Sequence, residues 1–393
     1  YQKMAYARLR TYLGRVSKGQ SRIFTAPFAK GQSMAKVMQD WDRVLDQLEN
    51  EWPTLYDFEK DLAKKVGPMS IQKPLSERME DIAHYYWDIL LPSEPIDSRA
   101  IQSAINEFSG SSGLRVRSQR RTVELMKKST NSGTPFFTKR RDVVQDTIPV
   151  QFGQINTNTT LMVIERHYWD MAATIGWRGQ EGGPSKSDVK QRVVWMFPFS
   201  VNINELQVYQ PLIEAFQKKL YVPAWVSMDA VDSRITSLFD TKDKSDLIVC
   251  TDFSRFDQHF NDKLQSAAEE ILSALLTKDA ESSRWLEEVF PVKYMIPLIW
   301  GERGIALGLH GMASGSGGTN VDETLTHRSL QYEAAILAGE ELNPNSQCLG
   351  DDGILSYPGI TVEDVVEAYS SHGQECNPDK QYASSQDCVY LRR

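Results

Sequence analysis

The 393-residue chain reads as an α+β protein, and three features predict it. Apolar residues recur at helical spacing through the first hundred positions. Residues 247–250 form a short apolar run of the kind that fills a central strand buried on both faces. Residues 347–357 read as two short apolar strands around Gly350-Asp351-Asp352-Gly353, with Asp-Gly marking a hairpin turn. Adjacent acids at a hairpin tip repel each other unless a cation sits between them. The stretch is therefore either a solvated turn or one half of a Mg²⁺ site, and the rest of the chain must supply the other half.

Composition bounds the reading. The chain is 41% hydrophobic and 24% charged, as in an ordinary folded globular protein. Its length allows two or three domains, or one domain with lobes. No apolar run approaches the ~18 residues of a membrane span. The opening Tyr1-Gln2-Lys3-Met4 is neither an initiator methionine nor a secretory signal, and residues 389–393 stop on a strand-like pattern. The expectation is a fragment at both ends. Cys250, Cys348, Cys376 and Cys388 lack zinc-like spacing and read as buried apolar residues in a reducing compartment. A net charge of −8 and a pI near 5.4 argue against a protein that is basic all over. Charge is uneven, however: residues 101–195 hold 14 Lys and Arg against 8 Asp and Glu. A basic stretch in an acidic chain suits a polyanion path beside an acidic cation-binding centre. A charged, solvated face is the plainer alternative.

Residues 1–100 are predicted helical, most clearly at 35–48 and at 75–91, where Tyr85, Tyr86 and Trp87 fall. Pro53, Pro68, Pro74, Pro92 and Pro95 cut this region into short elements, and no chemistry is legible in it. A loop at 109–113 precedes the cluster Arg115, Arg117, Arg120 and Arg121. Thr130-Asn131-Ser132-Gly133-Thr134-Pro135 then forms a turn followed by Lys139, Arg140 and Arg141. Amides, hydroxyls and cations in that order are apt for holding a nucleic-acid backbone, although a plain surface turn would read the same. After a Gly/Pro-rich loop at 179–184, Lys190 and Arg192 alternate, which on a strand points both the same way. Two such cations could grip a triphosphate. Residues 193–199 are expected to continue that strand into the interior.

Asp252 emerges at the end of the apolar run, and Asp257 follows five residues later. A continued strand would send them to opposite faces, whereas a helical turn after Asp252 lets both flank one pocket. The helical pattern at 264–276 supports the turn. Residues 282–310 hold a helix-like piece and then an extended apolar stretch at 294–305. Ser314-Gly315-Ser316-Gly317-Gly318-Thr319-Asn320 runs into a helix at 321–337. Its glycines permit close backbone approach, and its free N–H groups suit anionic or hydroxyl-bearing ligands. It is neither a Walker loop nor a Rossmann fingerprint. Past the paired acids, 362–371 is expected to be helical and 388–391 a last strand.

Each motif is weak by itself. Together, in this order, they resemble those of viral RNA-dependent RNA polymerases. Asp252-x4-Asp257 resembles motif A, Ser314-Gly315-x3-Thr319 motif B, and Gly350-Asp351-Asp352 motif C. Lys380 falls where motif D keeps its lysine, and Leu391-Arg392-Arg393 resembles the opening of motif E. Lys190-x-Arg192 resembles motif F, and Thr130-Asn131-Ser132-Gly133-x-Pro135 resembles motif G. The strings Thr251-Asp252-Phe253-Ser254-Arg255-Phe256-Asp257 and Ser314-Gly315-Ser316-Gly317-Gly318-Thr319-Asn320 look most like picobirnavirus polymerases.

The resemblance implies a right-hand polymerase with an antiparallel palm sheet and helical fingers, the thumb missing from this chain. Residues 1–100 would bridge to the fingers, 101–245 would be fingers, and 246–393 palm, with a fingers insertion at about 277–305. Without a thumb the fragment is expected to be poorly processive or inactive. The implied activity is template-directed RNA synthesis by two-metal transfer, as in the replication and transcription of a double-stranded RNA virus genome. Asp252, Asp351 and Asp352 would hold two Mg²⁺, or Mn²⁺, and Lys380 would serve the pyrophosphate leaving group. Lys190, Arg192, Asp257, Ser314, Gly315, Thr319 and Asn320 would bind the nucleotide. Asp257, Ser314 and Thr319 would read the ribose 2′-hydroxyl. Ser132, Gly133, Pro135, Lys139 and Arg140 would bind RNA. One departure stands out: Glu323 occupies a position where many relatives carry Asn. Template RNA, nascent RNA and ribonucleoside triphosphates follow as partners, with capsid protein left open as a further one, and no membrane. The implied location is the virion interior or host cytoplasm. The rivals are a reverse transcriptase, which Asp257 opposes, and a catalytically inactive RNA-binding subunit, which the intact acids oppose.

Overall fold

The computed structural model describes residues 2–24, 31–156, 159–164 and 167–393. The chain opens with helices α1 (Gln2–Lys18), α2 (Met34–Leu45), α3 (Pro53–Ala63), α4 (Met79–Trp87), α5 (Ser98–Phe108), α6 (Gln119–Leu125) and α7 (Val144–Thr147). Strands β1 (Val150–Asn156), β2 (Thr159–Ile164), β3 (His167–Asp170), β4 (Ala173–Gln180) and β5 (Lys190–Met196) follow. Helices α8 (Phe199–Lys219) and α9 (Met228–Thr241) lead into β6 (Ile248–Thr251), α10 (Asp262–Leu275), α11 (Ala280–Glu288), β7 (Leu298–Gly301) and β8 (Gly304–Ala306). The last elements are α12 (Thr319–Leu337), β9 (Gln347–Leu349), β10 (Asp352–Leu355), α13 (Val362–Ser370) and β11 (Tyr382–Ser384). Helices fill much of the first hundred residues as expected, but 19–24 and 64–74 are non-helical, with Gln20 bridged to Gln72. Positions 1 and 25–30 lie outside the described residues.

The chain divides into two compact units. The larger comprises Tyr1–Arg10, Ala83–Ile175 and Trp195–Arg393. At its centre is a four-stranded sheet in the order β11-β6-β10-β9, antiparallel at every pairing. All four residues of β6 are buried, which is why this strand reads as a continuous apolar run rather than an alternating one. Val249 and Leu355 of the sheet pack with Phe253, Leu264, Ile271, Leu325 and Tyr369 in one core. Each such buried side chain contributes about 2 kcal/mol of transfer free energy. Helix α12 runs through this core, buried along most of its length. Among its buried polar residues, the Arg328 guanidinium donates to both oxygens of Glu107 on α5, at 2.8 and 2.5 Å. Asn261 caps α10, its side-chain oxygen accepting from the Lys263 and Leu264 amides.

A second sheet, β1-β2-β3, is an antiparallel meander. Also in the larger unit, Ala173 and Thr174 at the start of β4 pair in parallel with Leu298 and Ile299 of β7, which pairs antiparallel with β8. The smaller unit comprises Thr11–Ile82 and Gly176–Val194. Within it the Gln191 amide accepts from Lys73 N at 3.1 Å and donates to Ile71 O at 2.8 Å. Arg78 is buried with its guanidinium over the Trp177 ring, 3.1 Å from the centroid.

Three expectations need correction. The strand expected over 193–199 ends at Met196, because Pro198 presets the chain for α8, which begins at Phe199. The strand expected at 388–391 does not form: 388–389 are irregular and the chain bends and turns at 390–392, with Leu391 and Arg392 at φ 51 and 61. The edge of β6 is already taken by Tyr382–Ser384, and the Val389 and Leu391 amides donate to Cys250 Sγ at 3.3 Å and Asp352 Oδ2 at 3.1 Å. The helical turn expected after Asp252 is irregular instead, with Arg255 at φ 53. Among the described residues no helix follows β11, and no helix is long and apolar enough to cross a membrane.

Candidate active site

The acids are placed by strand register. Pairing of β6 with β10 sets Gly353 opposite Thr251 and Ile354 opposite Cys250. Asp252 follows Thr251 and Asp352 precedes Gly353, so the two acids lie at the same end of this pairing. Because Asp352 pairs with Leu349, the turn between β9 and β10 is Gly350-Asp351. The turn therefore lies earlier than Asp352-Gly353, where the sequence pointed. Gly350 supplies the positive φ of 58° at the first central position. Gly353 is a strand residue, and a Cβ there would lie 2.6 Å from the His327 ring and 2.7 Å from Thr251 Oγ1. Asp252 and Asp351 are exposed, and Asp352 is half-buried.

Helix α12 braces the hairpin. His327 Nδ1 donates to Gly350 O at 2.9 Å, and Gly350 N donates to Thr324 Oγ1 at 2.9 Å. Burial pushes the His327 ring down to about 4, so it is neutral with its proton on Nδ1. Burial, helped by the charges of Asp351 and Asp252, pushes Asp352 up to about 6. The Leu391 amide, donating to Asp352 Oδ2 at 3.1 Å, works against that shift. Among the described residues no three His, Cys, Asp or Glu groups could enclose a metal ion by themselves. Hard carboxylate oxygens nevertheless suit Mg²⁺, which takes few protein carboxylates and completes its shell with water and phosphate oxygens.

A residue the sequence did not single out fixes Asp252. The Gln381 side-chain amide accepts from Asp252 N at 2.8 Å and donates to Asp252 O at 2.9 Å. Lys380, its neighbour, is exposed. Asp257 has Glu323 of α12 as its partner. Burial, and then the adjacent Asp257 carboxylate, pushes the Glu323 carboxyl well above its ordinary range, so the protonated group hydrogen-bonds Asp257. One Glu323 oxygen is buried with no donor against it, as befits a protonated carboxyl.

The glycine-rich loop sits on neighbouring backbone. Ser314 Oγ accepts from Trp195 N at 3.3 Å. A Cβ on Gly315 would stand only 1.6 Å from Trp195 O, so this glycine is required by close packing. Thr319 Oγ1 donates to Ala313 O at 3.0 Å, and Asn320 Oδ1 accepts from Trp225 Nε1 at 2.7 Å. Behind the loop, buried Asp322 accepts from Tyr209, Tyr294 and Lys293 at 2.8, 2.7 and 3.0 Å.

The remaining sequence-derived residues divide by exposure. Ser132, Gly133 and Pro135 are buried, and Ser132 Oγ accepts from Thr138 N at 3.1 Å within its own turn. Lys139 is exposed, whereas Arg140 is half-buried and donates to Asn202 Oδ1 at 2.7 Å. Lys190 and Arg192 are both exposed on β5 of the smaller unit, as their alternation predicts.

Comparison with known proteins places this geometry. The family model for viral RNA-dependent RNA polymerases matches residues 92–393. A potential RNA-dependent RNA polymerase of a human picobirnavirus (strain Human/Thailand/Hy005102/-) is 57% identical over 387 residues, 98% of this chain and 72% of that protein. The fold is similar to a crystal structure of the RNA-dependent RNA polymerase of a human picobirnavirus, with a TM-score of 0.95 and 55% identity. That match covers 99% of this chain and 76% of the other. An insertion-loop deletion mutant of such a polymerase matches with the same TM-score and identity, over 78% of its chain.

Proposed function

The chain belongs to the viral RNA-dependent RNA polymerases, and from that premise we propose which of its residues carry out RNA synthesis. In the reaction the 3′-hydroxyl oxygen of the growing RNA bonds to the α-phosphorus of a ribonucleoside triphosphate, and the bond to pyrophosphate breaks. The observation that carries the assignment is the β6–β10 register, which sets Asp252 and Asp352 at one end of the pairing, with Asp351 in the adjoining turn. Asp252 and Asp351 are the exposed pair and hold the divalent cations, as Mg²⁺ or Mn²⁺. Asp352, turned in part toward the Leu391 amide, assists at the edge. Two such ions, when bound, neutralise charge on the attacking and leaving oxygens.

The other roles follow from exposure and partners. Lys190 and Arg192, exposed on one side of β5, neutralise the triphosphate. Lys380 delivers a proton to the pyrophosphate; it is exposed and directly precedes the residue that clamps Asp252. Asp257, Ser314 and Thr319 read the ribose 2′-hydroxyl, with Gly315 and Asn320 shaping the loop. Glu323, as a neutral acid bonded to Asp257, supplies the donor that an amide supplies in relatives with Asn. Lys139 is the exposed phosphate contact of the turn that Ser132, Gly133 and Pro135 build. The division into a bridging region at 1–100, fingers at 101–245 and palm at 246–393 remains our proposal.

The test is RNA-templated incorporation of ribonucleotides, with deoxynucleotides in parallel, by the intact polymerase and an Asp351→Ala/Asp352→Ala variant. Metal-dependent synthesis that the variant loses is the expected result. Synthesis retained by the variant would move the metal site elsewhere, and a preference for deoxynucleotides would overturn the role of Asp257.

A further inference from the structure

Glu205 of α8 lies 0% exposed beneath the glycine-rich loop. Its Oε1 accepts from Gly317 N and from Asn202 Nδ2, each at 3.0 Å, and its other oxygen accepts from the Ser316 hydroxyl. Asn202, one helical turn earlier on the same face, also donates to Gly315 O at 3.3 Å. Three consecutive loop residues are thus tied to two side chains of a single helix. Asn202 in turn accepts on Oδ1 from Arg140 at 2.7 Å. The Arg140 guanidinium lies over the Phe199 ring, 5.2 Å from its centroid. Hydrogen bonds run without a break from the basic segment to the segment between Ser314 and Thr319.

We propose that Glu205 is a positioning residue for nucleotide selection, holding the loop in its binding shape, and that Arg140 acts on the same loop through Asn202. The inference rests on the reading that Ser314 and Thr319 contact the nucleotide. A glycine-rich loop has many backbone conformations to lose, so fixing one beforehand lowers the cost of binding and sharpens discrimination. Glu205 is suited to the task. A buried carboxylate leaves strong acceptors that few arrangements of the loop can satisfy, and charge-assisted hydrogen bonds are the strong ones. Arg140 is thereby assigned a different task from the exposed Lys139 beside it.

The experiment measures KM and kcat for a ribonucleotide and the ribo/deoxy preference, in the intact polymerase. Glu205→Ala is expected to raise the nucleotide KM by about tenfold, the worth of one lost charge-assisted bond, and to narrow the preference, while kcat at saturation changes little. Glu205→Gln restores most of both, since its amide oxygen still accepts from Gly317 and its amide nitrogen can donate to Ser316. Arg140→Ala shifts the same two quantities, and combining it with Glu205→Ala adds nothing further. Should Glu205→Ala fail to fold, Ser316→Ala supplies the test, with the same rise in KM expected. Unchanged KM and preference in these variants overturn the proposal, provided Ser314→Ala and Thr319→Ala do alter them. If those two also change nothing, it is the loop's nucleotide contact that fails, and the latch with it. An effect of Arg140→Ala confined to RNA affinity overturns its part.

Discussion

A methyl group on Gly353 would enter space held by the His327 ring and Thr251 Oγ1, at 2.6 and 2.7 Å. Both neighbours belong to buried elements that cannot swing aside, so Gly353→Ala should cost about 1–3 kcal/mol by overpacking. A lowered urea midpoint with unchanged slope, together with weakened synthesis, is the expected result. An unchanged midpoint would mean that β10 can slide. His327 leads to a second prediction at this scale. Its folded pKa of about 4 lies below its ordinary value of 6.5. Between those values the unfolded chain binds a proton that the folded chain refuses, so stability is full above about 6.5 and falls as the pH drops toward 4. The loss amounts to roughly 3 kcal/mol by the lower limit. Unfolding free energies across that window should slope less in a His327→Asn variant, whose amide can still donate to Gly350 O. Equal slopes would remove His327 from the acid response.

At the scale of elements, the β6–β10 pairing positions the acids, but the backbone of Asp252 is held from outside the pair. Gln381 closes two hydrogen bonds on it from the connection into β11. Gln381→Ala should therefore lower kcat by about tenfold or more through misplacement, with unfolding moved far less, and Gln381→Glu should rescue only the bond from Asp252 N. A loss of stability with kcat preserved would make Gln381 merely structural. No sequence rule points to this glutamine, since its role depends on a fold that brings residue 381 beside residue 252. The same reason explains what else was hidden. Helices α2, α10, α12 and α13 follow local periodicity and were legible in the sequence, as was the strand that ends at Thr251, just before Asp252. Residues 193–199 were apolar enough to read as one strand, and only Pro198 marks where α8 begins. The hairpin was legible but its turn was not. Asp-Gly is the stronger local signal, and burial of Gly353 against α12 overrides it. Glu205 and Lys293 are charged residues whose burial no period announces.

For the whole molecule, the question is how a chain of net charge −8 binds a polyanion. Screening limits the reach of surface charge to about 8–10 Å at ordinary salt, so local charge decides and the total does not. Residues 101–195 carry the local excess, and Lys139 and Arg141 are exposed within them. Arg140, between them, spends its guanidinium on Asn202. Affinity for single-stranded RNA should accordingly fall with rising salt, by counterion release. Lys139→Ala and Arg141→Ala should each reduce the log–log slope by roughly 0.7, the value for one neutralised phosphate on a single strand. Arg140→Ala should leave the slope unchanged while altering nucleotide KM. Fluorescence anisotropy of a labelled RNA over a salt series separates these outcomes. If Lys139→Ala and Arg141→Ala leave the slope intact, the RNA path runs over another surface, and the basic segment is a solvated face after all. If Arg140→Ala reduces the slope as its neighbours do, the three cations form one phosphate-binding row, and the link from Arg140 through Asn202 serves only to hold that row in place.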